Sequence, residues 1–256
     1  MNPPRTNGQR PSLHGMRTRF IAEERVLEPA SRRRFYVTSI VLVGFGVVCF
    51  TAILASVLQH NGLTVVDAPV QDWLFGMRSP TLTAIMIGLA IVFGPVALPI
   101  LLLVVCVVWG IIGKHGRRPL ILASAMLVGV LLGQVIGHAV DRHRPPTDLM
   151  LFGPDPSFSF PSGHVLGASD FVLLTAYLVF SRRRSIRGAM AGFGFALLCI
   201  VAAAVSRVYL GYHWATDVMA SVSLSLVILG SVIAYDTWRS LRASGELQIT
   251  IPHSAE

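Results

Sequence analysis

The residues whose types and spacing suit chemistry begin at 206–217, SRVYLGYHWATD, a short polar run between two apolar segments. With a helix starting at Tyr212, His213 and Asp217 stand at i and i+4 and share one face. A carboxylate so placed fixes the tautomer of the imidazole and raises the basicity of its other nitrogen. Arg207, six residues before His213, can turn to the same point and clamp an anion. A His/Asp pair at this spacing can also simply satisfy itself, so its meaning depends on what the rest of the chain sets beside it.

Two further polar clusters supply that context: Arg142 and Arg144 followed by Pro145, and Ser162, Gly163 and His164 after Pro161. Proline is favoured at a helix start, where the free backbone N–H groups of residues 162–164 would point outward at the positive end of the dipole. That is a ready anion site. Gly163 lacks the side chain that would block an oxyanion, and the Ser162 hydroxyl is a further donor. Two histidines and two or three arginines around a helix N-terminus suit phosphoryl transfer. Arg144 and Arg207 can bind non-bridging oxygens bidentately. One histidine can attack phosphorus while the other protonates the leaving alkoxide. The acids are too few and too scattered for a two-metal phosphatase, so neither a metal nor a cofactor is expected. Arg142 and His138 are candidates for supporting the site.

These clusters must be positioned by apolar segments. The 256 residues are 53% hydrophobic and 13% charged, with a mean hydropathy of +0.65, which is too apolar for a soluble domain of this size. The net charge of +8 comes from 20 arginines and one lysine, Lys114. The arginines border apolar spans and no basic stretch is interleaved with aromatics, so topology rather than nucleic acid explains them. Cys49, Cys106 and Cys199 each sit inside an apolar stretch, without metal-ligand spacing, and read as inert thiols.

Residues 1–34 are polar and arginine-rich and read as a disordered cytoplasmic tail. Crossing a bilayer takes about 20 apolar residues, which places the first span at 36–59, with Arg32, Arg33 and Arg34 inside. Residues 60–80 read as an external loop carrying Asp67, Asp72 and an interfacial Trp73. The stretch 81–113 is interrupted at Gly94-Pro95. Because Lys114, Arg117 and Arg118 mark the next loop as cytoplasmic, it counts as one span, 95–113, preceded by an interfacial or partly inserted helix at 81–93. Spans at 119–137, 165–180, 188–205 and 218–235 follow, with Arg182, Arg183, Arg184 and Arg187 inside. The expectation is an all-α integral membrane six-helix bundle. Its single domain covers 35–237, a cytoplasmic tail covers 238–256, both termini are cytoplasmic, and every chemical cluster lies at the outer face of a plasma (inner) membrane.

At these residues the chain resembles the type 2 phosphatidic acid phosphatase superfamily, membrane-bound lipid phosphate phosphatases that share a site with vanadium haloperoxidases. The family motifs are K-x6-RP, PSGH and SR-x5-H-x3-D. The second is complete at Pro161, Ser162, Gly163 and His164, and the third at Ser206, Arg207, His213 and Asp217. The resemblance spans 36–235. It implies that His213 is the nucleophile of a phosphohistidine intermediate oriented by Asp217. It makes His164 the acid and then the base, and Arg144, Ser162, Gly163 and Arg207 the phosphate ligands. The implied activity is metal-independent hydrolysis of a lipid mono- or diphosphate: phosphatidate, phosphatidylglycerophosphate or an isoprenyl diphosphate. The first motif departs from the pattern, for Arg144-Pro145 is present but Gly137 stands where the family has lysine. His138 or Arg142 is the neighbouring source of positive charge. Gly137 also motivates a second reading, a non-catalytic lipid-phosphate binder or transporter, and phosphotransfer to an alcohol would use the same residues. Asp170, inside the fourth span, is expected to face the bundle interior or be protonated, with His138 or Gln134 as its partner.

Overall fold

The computed structural model describes residues 29–113, 116–181 and 185–250, with side chains between 31 and 240. Lys114, Arg182, Arg183 and Arg184, four of the expected cytoplasmic markers, lie outside the described residues, as do 1–28 and 251–256 of the expected tails. Among the described residues the chain forms eight α-helices and two 3₁₀ turns. They are α1 (Pro29–Gln59), a 3₁₀ turn (Gly62–Val66), α2 (Asp67–Gly76), α3 (Pro80–Val92), α4 (Ala97–Gly113) and α5 (Arg117–Val140). A second 3₁₀ turn (Thr147–Leu149) precedes α6 (Gly163–Phe180), α7 (Ile186–Tyr209) and α8 (Ala215–Thr250).

The chain is inside-out relative to a soluble bundle. Large apolar side chains such as Ile40, Phe45, Val135 and Leu197 are more than half exposed, while Asp170, Asp217 and His213 are buried. Such a surface needs a lipid solvent. Five described helices, α1, α5, α6, α7 and α8, are long and apolar enough to cross a bilayer, and α3 with α4 forms a further pair bent by 53°. The bend falls at Gly94-Pro95, where proline has no N–H to continue the helical ladder. The chain is a multi-pass membrane protein.

Helix α6 lies at the centre, where Leu166, Leu174 and Leu178 pack with Leu122 of α5 and Ile228 of α8 in one core cluster. Helices α1 and α8 approach closely through small residues, as membrane helices commonly do. The Ser39 hydroxyl donates to the Gly230 carbonyl at 2.7 Å, and a Cβ on Gly46 would lie 2.7 Å from the Ser223 carbonyl.

Several expectations change. The segment 60–80 is no open loop: after the first 3₁₀ turn, α2 buries Asp67, Gln71 and Leu74. This helical spacing turns Trp73 outward and Asp67 toward the site. Helix α1 reaches back to Pro29 and α8 forward to Thr250, both into stretches assigned to tails, since nothing after Pro29 or before Pro252 breaks a helix. Asp170 does face the interior, but against Gly129, where an added Cβ would meet its Oδ2. His138 and Gln134 lie on the exposed side of α5 and do not partner it.

The turn between α7 and α8 is held by main-chain geometry. Gly211 has φ +83°, and a Cβ there would come within 2.4 Å of the Leu149 carbonyl. Arg78 straps the same turn, donating through Nε and Nη2 to the Tyr209 carbonyl and through Nη2 to the Leu149 carbonyl. A left-handed conformation costs a non-glycine residue about 1–2 kcal/mol before any clash. Gly211→Ala is therefore expected to lower the thermal unfolding midpoint in detergent clearly, whereas Gly110→Ala, with open space around its Cβ, is expected to leave it unchanged.

Candidate active site

The C-termini of α5 and α7 and the N-termini of α6 and α8 meet at one end of the bundle, joined there by α2. Asp217, in the first turn of α8, is fully buried. Its Oδ1 accepts from Arg142 Nη1 at 2.5 Å, and its Oδ2 accepts from the Ser159 hydroxyl at 2.5 Å and the Trp214 backbone N–H at 2.9 Å. Arg142 donates further to Thr216 Oγ1 at 2.8 Å and to Asp67 Oδ2 at 2.7 Å. The Thr216 backbone N–H closes the network on Asp67 Oδ1 at 2.8 Å. Arg142 thus bridges two buried carboxylates and is not a free anion ligand.

His213 precedes α8 rather than lying within it, because the helix starts at Ala215 and not at Tyr212. Its Nδ1 is 2.8 Å from the Ser159 carbonyl and 3.6 Å from Asp217 Oδ2. The second distance is too long for a hydrogen bond, so Ser159 stands between the two, touching His213 with its carbonyl and Asp217 with its hydroxyl. A carbonyl only accepts, so Nδ1 carries the proton and the lone pair is on Nε2. That lone pair faces Arg144 Nη1 at 3.0 Å. Complete burial, then the Arg144 and Arg207 guanidiniums, hold His213 well below the usual histidine value of 6.5.

Arg144 also donates to the Ser157 carbonyl and hydroxyl and to the Tyr212 carbonyl, and it forms an ion pair with Asp155. Burial lowers it from the usual arginine value, and Asp155, Asp217 and Tyr212 counter that shift. Arg207, 4% exposed, lies over the Tyr212 ring, with its carbon Cζ 4.2 Å from the centroid, and its Nε has no partner. The buried Ser162 hydroxyl is likewise unpartnered, and nothing lies within 4 Å of where a Gly163 Cβ would be. Unsatisfied buried donors are costly, and here they mark room for an acceptor. A cavity of about 410 Å³ adjoins them, walled by Arg207, His164, Asp155 and Tyr212 on the polar side and by Ile91, Pro95, Val96 and Phe152 on the apolar side. Among the described residues no group of three His, Cys, Asp or Glu side chains gathers as a metal set would require.

Residues 118–241 match the model of the PAP2 superfamily. The matched stretch, just under half of the chain, holds both the PSGH and the SR-x5-H-x3-D residues. It is 27% identical over 193 residues to phosphatidylglycerophosphatase B of Bacillus subtilis (strain 168), a match covering 73% of this chain and 91% of the relative. Phosphatidylglycerophosphatase B of Escherichia coli (strain K12) is 33% identical over 95 residues, covering 36% of this chain and 33% of that protein. The crystal structure of a transmembrane PAP2-type phosphatidylglycerolphosphate phosphatase from Bacillus subtilis superposes with a TM-score of 0.66 at 25% identity, covering 78% of this chain and 96% of that one.

The structure brings His164, Ser162, Gly163, Arg144, Arg207, His213 and Asp217 to one end of the bundle. His138 is not brought in: it is exposed, with its Nδ1 on the Gln134 carbonyl at 2.7 Å and its ring edge-on to Phe158. Neither His138 nor Arg142 replaces the PAP2 lysine, and at Gly137 a Cβ would meet Phe160 and Phe158 at 3.4–3.7 Å. Residues missed from the sequence are Asp67, Ser159, Thr216, Asp155 and Ser157. Asp67 alone had a signal, an acidic residue at helical spacing from the apolar Val70 and Leu74.

Asp67→Ala, which leaves one face of Arg142 unpaired, is expected to cost about 1–3 kcal/mol, read as a lowered unfolding midpoint. Asp72→Ala on the exposed face of α2 serves as the control. In histidine-labelled protein, long-range ¹H–¹⁵N spectra are expected to show His213 as the neutral Nδ1–H tautomer at pH 7.5 and still at pH 6. The sign follows from a folded value below 6.5, which leaves the imidazole neutral where an unperturbed one is mostly charged.

Proposed function

We propose that the protein hydrolyses a lipid phosphate, releasing inorganic phosphate through a phosphohistidine and without a metal. The observation that carries this reading is the pairing of a buried imidazole, its Nε2 lone pair turned into the site, with two orphaned donors, Arg207 Nε and Ser162 Oγ. The match to the PAP2 superfamily model and the relatives named phosphatidylglycerophosphatase B support the substrate class, with phosphatidylglycerophosphate the leading candidate and phosphatidate and isoprenyl diphosphates behind it.

In this mechanism the phosphate rests on Arg144, Arg207, Ser162 and the backbone N–H groups of Gly163 and His164, which take up charge on the non-bridging oxygens. His213 Nε2 forms a bond to phosphorus as the bond to the lipid oxygen breaks, and His164 gives that oxygen its proton. His164 then takes a proton from water, whose oxygen attacks phosphorus as the N–P bond breaks, and phosphate leaves. The Ser159 carbonyl keeps His213 in the reactive tautomer, while Asp217 offsets the positive charge that develops on the ring. Positioned donors of this kind are worth on the order of 10² to 10³ in rate each, so two arginines without the family lysine retain most of the neutralisation a phosphomonoester needs. The apolar cavity wall suits the lipid end of the substrate. The arginine pattern of the sequence supports placing this end of the bundle at the outer face of a plasma membrane, with both termini inside.

The test is a panel of phosphatidylglycerophosphate, phosphatidate and isoprenyl diphosphates in detergent with EDTA present. Wild-type protein is expected to release phosphate from at least one, and His213→Ala to fall by more than about 10³. Equal release by that variant, or release abolished by EDTA, would overturn the mechanism. Recovery of the phosphate on an added alcohol would identify phosphotransfer instead. Binding without turnover would identify a non-catalytic binder.

A further inference from the structure

An arginine has five N–H donors, and in Arg144 four of them make hydrogen bonds. Nε donates to the Ser157 carbonyl at 2.9 Å, Nη1 to the Tyr212 carbonyl at 2.7 Å, and Nη2 to the Ser157 hydroxyl at 2.8 Å. Nη1 also donates to His213 Nε2 at 3.0 Å, and the Asp155 carboxylate forms an ion pair with Nη2, Oδ2 lying 3.0 Å away. The two arginines of the site therefore differ: Arg207 presents an unpartnered Nε, whereas the guanidinium charge of Arg144 is already paired with a carboxylate. Asp155 is the partner that carries a full negative charge and also lines the cavity, and its side chain is 29% exposed. Its other oxygen accepts from the Ser157 backbone N–H at 3.0 Å and hydroxyl at 2.7 Å, which anchors the carboxylate within the loop between α5 and α6. Burial would raise this carboxyl, but the two Ser157 hydrogen bonds, with Arg144 and Arg207, outweigh it and hold it below the usual aspartate value. The competing charge is therefore present wherever a phosphomonoester is a dianion.

Resting on the phosphatase reading above, we propose that Asp155 is an internal competitor for phosphate at Arg144. Its carboxylate pairs with the guanidinium, and that guanidinium covers the His213 Nε2 lone pair. A phosphate dianion takes the place of the carboxylate, draws Arg144 to itself, and uncovers Nε2 for attack. After turnover Asp155 returns to Arg144 and assists the release of inorganic phosphate. Asp155 is thus a positioning residue that acts through Arg144, and it weakens the affinity of the site for every phosphate, product included.

The sign of this effect separates it from a structural role. Asp155→Asn keeps an acceptor for Ser157 and nearly the same shape but removes the competing charge, so inorganic phosphate is expected to bind about tenfold more tightly. Binding is measured by calorimetry on the purified full-length protein in detergent with inorganic phosphate as the probe. The Michaelis constant for the lipid substrate is expected to fall in parallel, with kcat unchanged or lower as release slows, and Asp155→Glu is expected to restore wild-type phosphate affinity. Phosphate binding by Asp155→Asn that is equal to or weaker than wild type, or undetectable in both, overturns the proposal. If the wild type binds phosphate but hydrolyses nothing in the substrate panel, the phosphatase reading fails on its own, and the comparison of phosphate affinities still decides the role of Asp155.

Discussion

The site depends on keeping a carboxylate charged where no water reaches it. Asp217 is sealed at the head of α8, and taking an ion out of water costs several kcal/mol unless partners offset it. Arg142, the Ser159 hydroxyl and the Trp214 N–H do so, but the guanidinium of Arg142 is itself mostly buried and needs a second acid. Asp67 provides it from α2. One desolvated charge thus ties together three segments far apart in the chain: the short helix after α1, the loop after α5 and the start of α8. Each holds another in place, and Ser159, on the loop, passes that order to His213.

The two remaining arginines differ in what they already hold. Arg207 is confined on the face of Tyr212 with a donor unspent, whereas Arg144 is paired with the Asp155 carboxylate. A site built this way is half preorganised and half an exchange of partners. In the proposed cycle the preorganised half, with the Ser162 hydroxyl and the N-terminus of α6, would give a phosphate a place to land. The exchanging half would link arrival of the phosphate to exposure of the nucleophile. The bend at Gly94-Pro95 also belongs to this arrangement, because a Cβ on Gly94 would lie 3.5 Å from His164 Nε2 and 2.7 Å from the Ala90 carbonyl. The break that interrupts an otherwise apolar span is thus the place where the backbone comes close to the second histidine.

Much of this was legible in the chain. Long apolar runs state their helices because lipid demands internally satisfied backbones, and PSGH with SR-x5-H-x3-D states a chemistry because few other functions need those side chains together. Helix starts were legible only to within a few residues: His213 proved to lie outside α8, and α2 was hidden in a mixed sequence read as a loop. The roles of Arg142 and His138 were not legible either. Both are basic and close to the motif in sequence, yet one is consumed by Asp67 and Asp217 and the other turns to the exposed side of α5. Nothing in the residue types separates these outcomes, since each follows from the direction in which the last turn of α5 and its left-handed cap at Asp141 send the chain.

By itself the sequence determined that this is a multi-span helical membrane protein and which residues the proposed phosphoryl transfer would use, because hydropathy and short motifs are local properties. Only the tertiary structure decided which charges pair. It set Asp67 against Arg142, placed Ser159 between His213 and Asp217, and gave Arg144 to Asp155. The physical reason is that a buried charge selects its partner by distance in space, and residues some 75 positions apart have no local pattern that announces their meeting.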